Sequence, residues 1–215
     1  MTVSRSPGKG GAASRRGPPP TREWIVARLQ EPPPPARAED RHLSPVAPGA
    51  RVIPAAVLVP LVERASGIQV LLTQRTPHLR DHPNQISFPG GRVEGGDENR
   101  VGTALREAEE EIGLPPAAVE VLGLLPLHEM ASGFCISPVV GWLAPNFELK
   151  LDPFEVAAAF EVPLAHFLDP ANHLRRYYHF NGRHRHYLAM PWRDRFIWGA
   201  TAGMLYSFYR QLGGE

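Results

Sequence analysis

The chain has 215 residues, of which 43% are hydrophobic and 21% are charged, and its formal net charge is +1. This size and composition are typical of one globular domain with extensions, large enough to bury a sizeable core. The near-zero charge provides no overall field for recruiting nucleic acid or an acidic membrane surface. No apolar run approaches the roughly 18 residues of a membrane span. The single cysteine, Cys135, excludes an internal disulfide.

Residues 1–20 form a basic, acid-free stretch rich in Gly, Ser, Pro and Ala. Such a composition does not bury enough apolar surface to fold, so we predict a disordered tail. The stretch lacks the apolar segment of a secretory signal. Together with the single cysteine, this favours a cytoplasmic protein. An Arg-rich, acid-poor start keeps mitochondrial targeting open if the source is eukaryotic.

A lead-in separates this tail from the predicted domain. Residues 21–30 predict a short helix with Thr21 as its N-cap, and the prolines at 32–35 end it. The lead-in is irregular from there to residue 49. We place the domain itself at residues 50–213.

The domain contains more predicted strands than helices. Its predicted elements, in chain order, are a strand hairpin (51–63 and 68–75), a polar loop (77–85), a short strand ending in a glycine turn (86–91), a helix (98–112), two strands (119–127 and 136–144), a strand followed by a short helix (154–168), a hairpin about Asn181-Gly182 (173–190) and a closing helix (197–212). This mixed order, without regular alternation, predicts an α+β fold or an α/β/α sandwich.

The acidic helix predicted at residues 98–112 is the most informative stretch. Glu107, Glu110 and Glu111 are spaced i, i+3 and i+4, so they share one helix face. Their mutual repulsion would be offset by a hard divalent cation such as Mg²⁺ or Mn²⁺, which prefers oxygen ligands. Arg106 lies beside them and can orient a carboxylate through its guanidinium group. A solvated acidic face is the alternative interpretation.

A glycine turn precedes the acidic helix and favours the metal interpretation. Gly90 and Gly91 let the backbone turn tightly and approach a ligand, with a carbonyl free to reach a metal ion. Arg75, Arg80 and His82, just upstream, either meet substrate phosphates or form a solvated loop. Strand, glycine turn, loop and acidic helix together predict a site for a diphosphate and a metal ion.

Residues 90–114 resemble the Nudix box, which runs Gly, five residues, Glu, seven residues, Arg-Glu, an aliphatic, any residue, Glu-Glu, any residue, Gly and an aliphatic. Here Glu98 and seven further residues precede the run Arg106-Glu107-Ala108-Glu109-Glu110-Glu111-Ile112-Gly113-Leu114. Six residues rather than five separate Gly91 from Glu98, so the role of Glu98 is open and Asp97 can share it. A match of this length at fixed spacing is a specific signal.

A second resemblance lies ahead of the box. Three short runs are similar to the pattern of the CoA pyrophosphatase branch of this family: Leu71-Leu72-Thr73-Gln74-Arg75, Leu79-Arg80-Asp81-His82 and Phe88-Pro89-Gly90-Gly91. That branch also shows the longer box loop, and residues 197–202 are similar to its closing helix. The resemblance covers residues 50–212.

These resemblances imply a Nudix α/β/α sandwich with a mixed β-sheet between helices. They imply metal-dependent hydrolysis of CoA or acyl-CoA to 3′,5′-ADP and (acyl-)4′-phosphopantetheine. Glu107, Glu110 and Glu111 would bind Mg²⁺ or Mn²⁺, with the Gly91 carbonyl as a further ligand. Glu107 is the expected base that takes a proton from water, and Glu155, after the last central strand, is the alternative.

Two other functions remain open at this point. The box contacts only the diphosphate, so ADP-ribose, NADH or another nucleoside diphosphate derivative would serve equally as substrate. A non-catalytic Nudix domain that senses a ligand is the second alternative, although the retained acidic positions and Arg106 disfavour it. We expect a small-molecule substrate, no nucleic-acid or membrane partner, and a monomer or homodimer.

Overall fold

The computed structural model describes residues 20–35, 51–180 and 183–215. Nearly all of the predicted tail, residues 36–49 of the lead-in and the Asn181-Gly182 turn therefore lie outside the described residues. Within the described ranges, no helix is long and apolar enough to cross a membrane.

The described elements follow the predicted order closely. The helices are α1 (Arg22–Gln30), α2 (Arg100–Ile112), α3 (Leu164–Phe167) and α4 (Ala200–Gln211). The strands are β1 (Ile53–Arg64), β2 (Gly67–Arg75), β3 (Ile86–Ser87), β4 (Gly90–Arg92), β5 (Val119–Leu124), β6 (His128–Glu129), β7 (Phe134–Leu143), β8 (Val156–Pro163), β9 (Leu174–Phe180) and β10 (Arg183–Ala189).

One mixed sheet of eight strands organises the fold. Its path is β3-β2-β1-β7-β5, with β4 paired to β1, β6 to β7 and β8 to β2. The central pair β1–β7 is parallel, and the other pairs are antiparallel. Strands β9 and β10 form a separate antiparallel hairpin, which confirms the one predicted at 173–190.

Strand β1 is buried on both faces, which explains its long apolar run. Its odd-numbered residues from Ala55 to Leu61 pack in one apolar cluster together with Leu205 and Phe208 of α4. Its residues Ala56, Leu58 and Val62 pack in a second cluster against α2. The sheet therefore lies between α2 on one side and α4 on the other, and the predicted α/β/α sandwich is confirmed.

The helix ends are set by their capping residues. Helix α2 begins at Arg100 because the Asn99 side chain accepts hydrogen bonds from the next backbone N–H groups, and it ends at Gly113, which adopts φ 68°. Helix α4 begins at Ala200, later than the predicted residue 197. Gly199 has φ 66°, a conformation that interrupts a right-handed helix.

Helix α1 packs onto the sheet although it precedes residue 50. Thr21 caps it as predicted, by accepting a hydrogen bond from the Trp24 backbone N–H. Ile25 is completely buried in the cluster on the α4 side of the sheet. Gln211 of α4 donates to the backbone carbonyls of Arg28 and Glu31 at 2.7 and 3.0 Å. The core therefore includes residues from the lead-in.

Candidate active site

Helix α2 carries three carboxylates that are buried to different extents. Glu111 is only 6% exposed, since it flanks the face that packs on the sheet. The Glu107 side chain is 16% exposed and that of Glu110 is 60% exposed. The three share one helix face, as the spacing predicted, but the helix lies so that they run from the protein interior to solvent.

The glycine turn touches the two deeper carboxylates. The Gly90 backbone N–H donates to Glu111 Oε2 at 3.3 Å. Gly91 lies against Glu107 so closely that a Cβ atom there would fall 2.4 Å from Glu107 Oε1. A side chain at Gly91 would therefore displace the Glu107 carboxylate, whereas a Cβ atom at Gly90 would fall 2.4 Å from the backbone carbonyl oxygen of Ala56 in β1. The structure thus brings Gly90 and Gly91 together with Glu107 and Glu111, as the sequence predicted.

Asp97 pairs with Arg106 in the loop ahead of α2. Arg106 donates to both Asp97 oxygens, at 2.9 Å from Nε and 3.2 Å from Nη2. Asp97 also accepts from the Thr103 hydroxyl and from the Glu94 backbone N–H. The bonds from Arg106, more than any other cause, hold the pKa of Asp97 well below its usual range. Glu98 is exposed, so Asp97 rather than Glu98 fills this structural position.

Arg106 also reaches two carboxylates of its own helix. Its Nη1 lies 3.0 Å from Glu107 Oε1 and 3.0 Å from Glu110 Oε2. Its Nη2 donates to the Arg92 carbonyl at 3.3 Å, which links α2 to the end of β4. Arg106 therefore holds Glu107 and Glu110 in fixed orientations.

Nearby positive charges do not fully compensate the negative charges of the two more buried carboxylates, Glu107 and Glu111. Burial, followed by the charges of Glu155 and Glu107, raises the pKa of Glu111 to about 8. Burial likewise raises the pKa of Glu107, although Arg106 acts in the opposite direction. Carboxylates gathered away from water fit a hard divalent cation, which would restore their charged forms.

The side chains of the described carboxylates are not arranged as a complete set of metal ligands. Among the described residues, no three His, Cys, Asp or Glu side chains converge closely enough to hold a metal ion. Glu107 points its oxygen to Arg106, and Glu111 accepts from the Gly90 backbone. The donor chemistry and the close Gly91 backbone fit a cation, and the side chains would have to rotate to bind one.

Two further sequence-predicted residues belong to this cluster. Glu155 directly precedes β8, and its charge acts on both Glu107 and Glu111. Arg75 ends β2, and its charge acts on Glu111 in the opposite direction. The buried Nε of Arg75 has no hydrogen-bond partner in the part of the chain that the structure describes. The Thr76 backbone N–H donates to the Glu155 carbonyl at 2.9 Å and so ties the two segments together.

The other predicted cations lie apart from the carboxylates. Arg80 and His82 are exposed in the loop between β2 and β3, and His82 adopts φ 56°. Of the three basic residues grouped in the sequence, the structure brings only Arg75 to the cluster. Thr103 was not singled out from the sequence, because a threonine inside a helix gives no sign of a loop partner. The Asp97 position has a sequence signal, since five residues separate it from Gly91.

Comparison with known proteins agrees with this geometry. The model of the NUDIX domain family matches residues 52–180. The uncharacterized Nudix hydrolase NudL of Escherichia coli K12 is 43% identical over 163 residues, covering 74% of this chain and 82% of that protein. NudL of Shigella boydii serotype 18 gives the same identity and coverage. The chain therefore belongs to the Nudix family and is grouped with its hydrolases.

The fold is shared with a solved structure. DR0079 from Deinococcus radiodurans is 15% identical and aligns with a TM-score of 0.50. The alignment covers 75% of this chain and 87% of that one. This likeness concerns the fold alone, and it supports the mixed sheet between helices described above.

Proposed function

We propose that this Nudix hydrolase cleaves the diphosphate bond of CoA or acyl-CoA and releases 3′,5′-ADP and (acyl-)4′-phosphopantetheine. The observation that carries the hydrolytic part is the contact of the Gly90–Gly91 turn with the buried carboxylates Glu107 and Glu111. The CoA part rests on the similarity of residues 71–91 to the CoA pyrophosphatase branch.

Glu107, Glu110 and Glu111 would hold Mg²⁺ or Mn²⁺, with the Gly91 carbonyl as a further ligand. When bound, such an ion would neutralise the charge of the diphosphate and lower the pKa of a water molecule. The protein contributes the orientation of these ligands, because Arg106 holds Glu107 and Glu110 at 3.0 Å each. Asp97 in turn fixes Arg106 from the loop side.

The chain's own side chains then direct the displacement. A carboxylate takes a proton from water, the water oxygen bonds to one phosphorus, and the P–O bond to the other phosphate breaks. Glu107 is the proposed base, and Glu155 is the alternative, since both lie in the cluster around Glu111. Arg75 would bind the diphosphate, because its positive charge acts on Glu111 and its Nε has no hydrogen-bond partner among the described residues. Arg80 and His82, exposed on the adjoining loop, would meet more distant substrate phosphates.

The test is a substrate panel with the full chain and Mg²⁺ or Mn²⁺. CoA, acetyl-CoA, ADP-ribose, NADH and diadenosine polyphosphates are incubated separately, and the products are identified by mass. Release of 3′,5′-ADP from CoA at a rate well above every other substrate supports the proposal. Preferred cleavage of ADP-ribose or NADH retains diphosphate hydrolysis and rejects CoA. If nothing is cleaved although metal binds and the fold is intact, the result favours the ligand-sensor alternative.

A further inference from the structure

An exposed aromatic pair, Phe154 and His78, lies on the two segments that carry Glu155 and Arg75. The Phe154 residue is 63% exposed, the most exposed of the large hydrophobic residues that the structure describes. Its ring lies 4.8 Å from the His78 ring, centroid to centroid, with 57° between the planes. Aromatic rings normally contribute stability by being buried, so a ring pair held in solvent is available to contact a ligand.

The Phe154 backbone is fixed on both sides. Its N–H donates to Asp152 Oδ1 at 2.9 Å, and its carbonyl accepts from the Thr76 hydroxyl at 2.7 Å. Thr76 also lies 3.5 Å from His78 Nε2. The ring pair is thus attached to two ordered segments, and its exposure does not arise from a loose chain end.

Both segments lead directly into the candidate active site. Phe154 is followed by Glu155, whose charge acts on Glu107 and Glu111. Thr76 is preceded by Arg75, whose charge acts on Glu111 and whose Nε has no hydrogen-bond partner in the described ranges. The aromatic pair is therefore joined, through neighbouring residues of two hydrogen-bonded segments, to the guanidinium and the carboxylates of the candidate site.

We propose that Phe154, supported by His78, is a platform on which the purine base of a nucleoside diphosphate stacks. This inference rests on the proposed function, because it assigns the base-binding part of the same site. A base offers a π-face to an aromatic ring, and the phosphates of the same nucleotide, one ribose away, would lie towards Arg75 and the carboxylates. A single ring is too small a surface for a stable protein partner, whereas it matches the area of one base.

The test compares a ligand that has a base with one that lacks it. Binding of ADP and of inorganic pyrophosphate to the full chain with Mg²⁺ is measured by calorimetry for the wild type, Phe154→Ala and Phe154→Trp. We expect Phe154→Ala to weaken ADP binding about tenfold and to leave pyrophosphate binding within about twofold. Phe154→Trp should bind ADP within about threefold of the wild type, because it keeps a stacking surface.

Tyr177→Ala is the matched control, since Tyr177 is 59% exposed but lies on the separate β9–β10 sheet. It should leave the binding of both ligands unchanged. In CoA turnover, Phe154→Ala should raise KM about tenfold and change kcat by less than about twofold.

Several outcomes overturn the platform. These are unchanged ADP binding in Phe154→Ala, an equal loss of pyrophosphate binding, and no ADP binding by the wild type. Failure of the proposed function gives a different result. A wild type that binds ADP through Phe154 but does not cleave CoA supports the platform and rejects CoA hydrolysis. Normal CoA cleavage with an unchanged KM in Phe154→Ala supports CoA hydrolysis and rejects the platform.

Discussion

Asp97 accepts two hydrogen bonds from Arg106, at 2.9 and 3.2 Å, and its side chain is only 5% exposed. The same carboxylate accepts from Thr103 and from the Glu94 backbone, so it joins the loop to the start and middle of α2. Arg106 in turn contacts Glu107 and Glu110. The orientation of the helix carboxylates therefore depends on a residue outside the helix.

The first prediction concerns this link. Asp97→Asn removes the charge that holds Arg106, so the contacts of Arg106 with Glu107 and Glu110 lose their fixed geometry. We expect kcat for the best substrate to fall about 10- to 100-fold while the circular dichroism spectrum is retained. Glu98→Gln is the matched control, because Glu98 is the exposed neighbour. Equal effects of the two substitutions would contradict the assignment of Asp97.

The second prediction concerns the close approach of β4 to α2. A Cβ added at Gly91 would lie 2.4 Å from Glu107 Oε1, whereas a Cβ added at Gly95 would meet nothing within 4 Å. Gly91→Ala should change the free energy of unfolding by less than about 1 kcal/mol, because the end of the flexible Glu107 side chain can move aside, and it should lower turnover because the Glu107 carboxylate is displaced. Gly95→Ala should leave the free energy of unfolding and the turnover rate at their wild-type values within experimental error. The measurements are urea denaturation and steady-state kinetics, and full activity of Gly91→Ala would refute the contact.

The third prediction concerns the pH dependence of metal binding. The raised pKa of Glu111, about 8, means that this carboxyl is largely protonated at pH 6.5 and must lose a proton when a cation binds. Mn²⁺ affinity should therefore rise as the pH increases towards 8 and level off above it. Calorimetry at pH 6.5, 7.5 and 8.5 gives the profile. Glu111→Gln should bind more weakly with a flatter profile, and a flat wild-type profile would contradict the prediction.

The fourth prediction concerns α1. Ile25 is completely buried on the sheet, so Ile25→Ala should lower the free energy of unfolding by about 2–5 kcal/mol. Leu124→Ala on β5 is the control, since Leu124 is 52% exposed and should change the value by less than about 0.5 kcal/mol. Urea denaturation measures both. A wild-type value for Ile25→Ala would show that α1 does not contribute to the core.

Much of the fold was predictable because its signals are local. The apolar run of β1, the capped helix α2 and the β9–β10 hairpin each follow from a short stretch of sequence. The exact ends of the helices and strands were predicted less well. Gly199 stops α4 from beginning at residue 197 through its positive φ, and the composition around it does not reveal that conformation. The two-residue strand β6 exists only through its pairing with β7.

Helix periodicity and glycine spacing were enough to predict part of the site. These placed Glu107, Glu110 and Glu111 on one face and Gly91 beside them. Sequence did not distinguish Arg75 from Arg80 and His82, because the direction of a side chain at a strand end depends on the sheet. Arg75 ends β2 on the side of Glu111, whereas the other two lie in the exposed loop.

The matched pair Glu111→Gln and Glu109→Gln tests the central claim most directly. Both substitutions replace a carboxyl group by an amide in the same turn of α2, but Glu111 is buried against the glycine turn and Glu109 is exposed. The measurement is kcat for CoA with Mg²⁺, with folding checked by circular dichroism. We expect Glu111→Gln to lose turnover by at least about 100-fold and Glu109→Gln to keep the wild-type rate. A folded Glu111→Gln variant with the wild-type rate would show that the buried carboxylate cluster is not the active site.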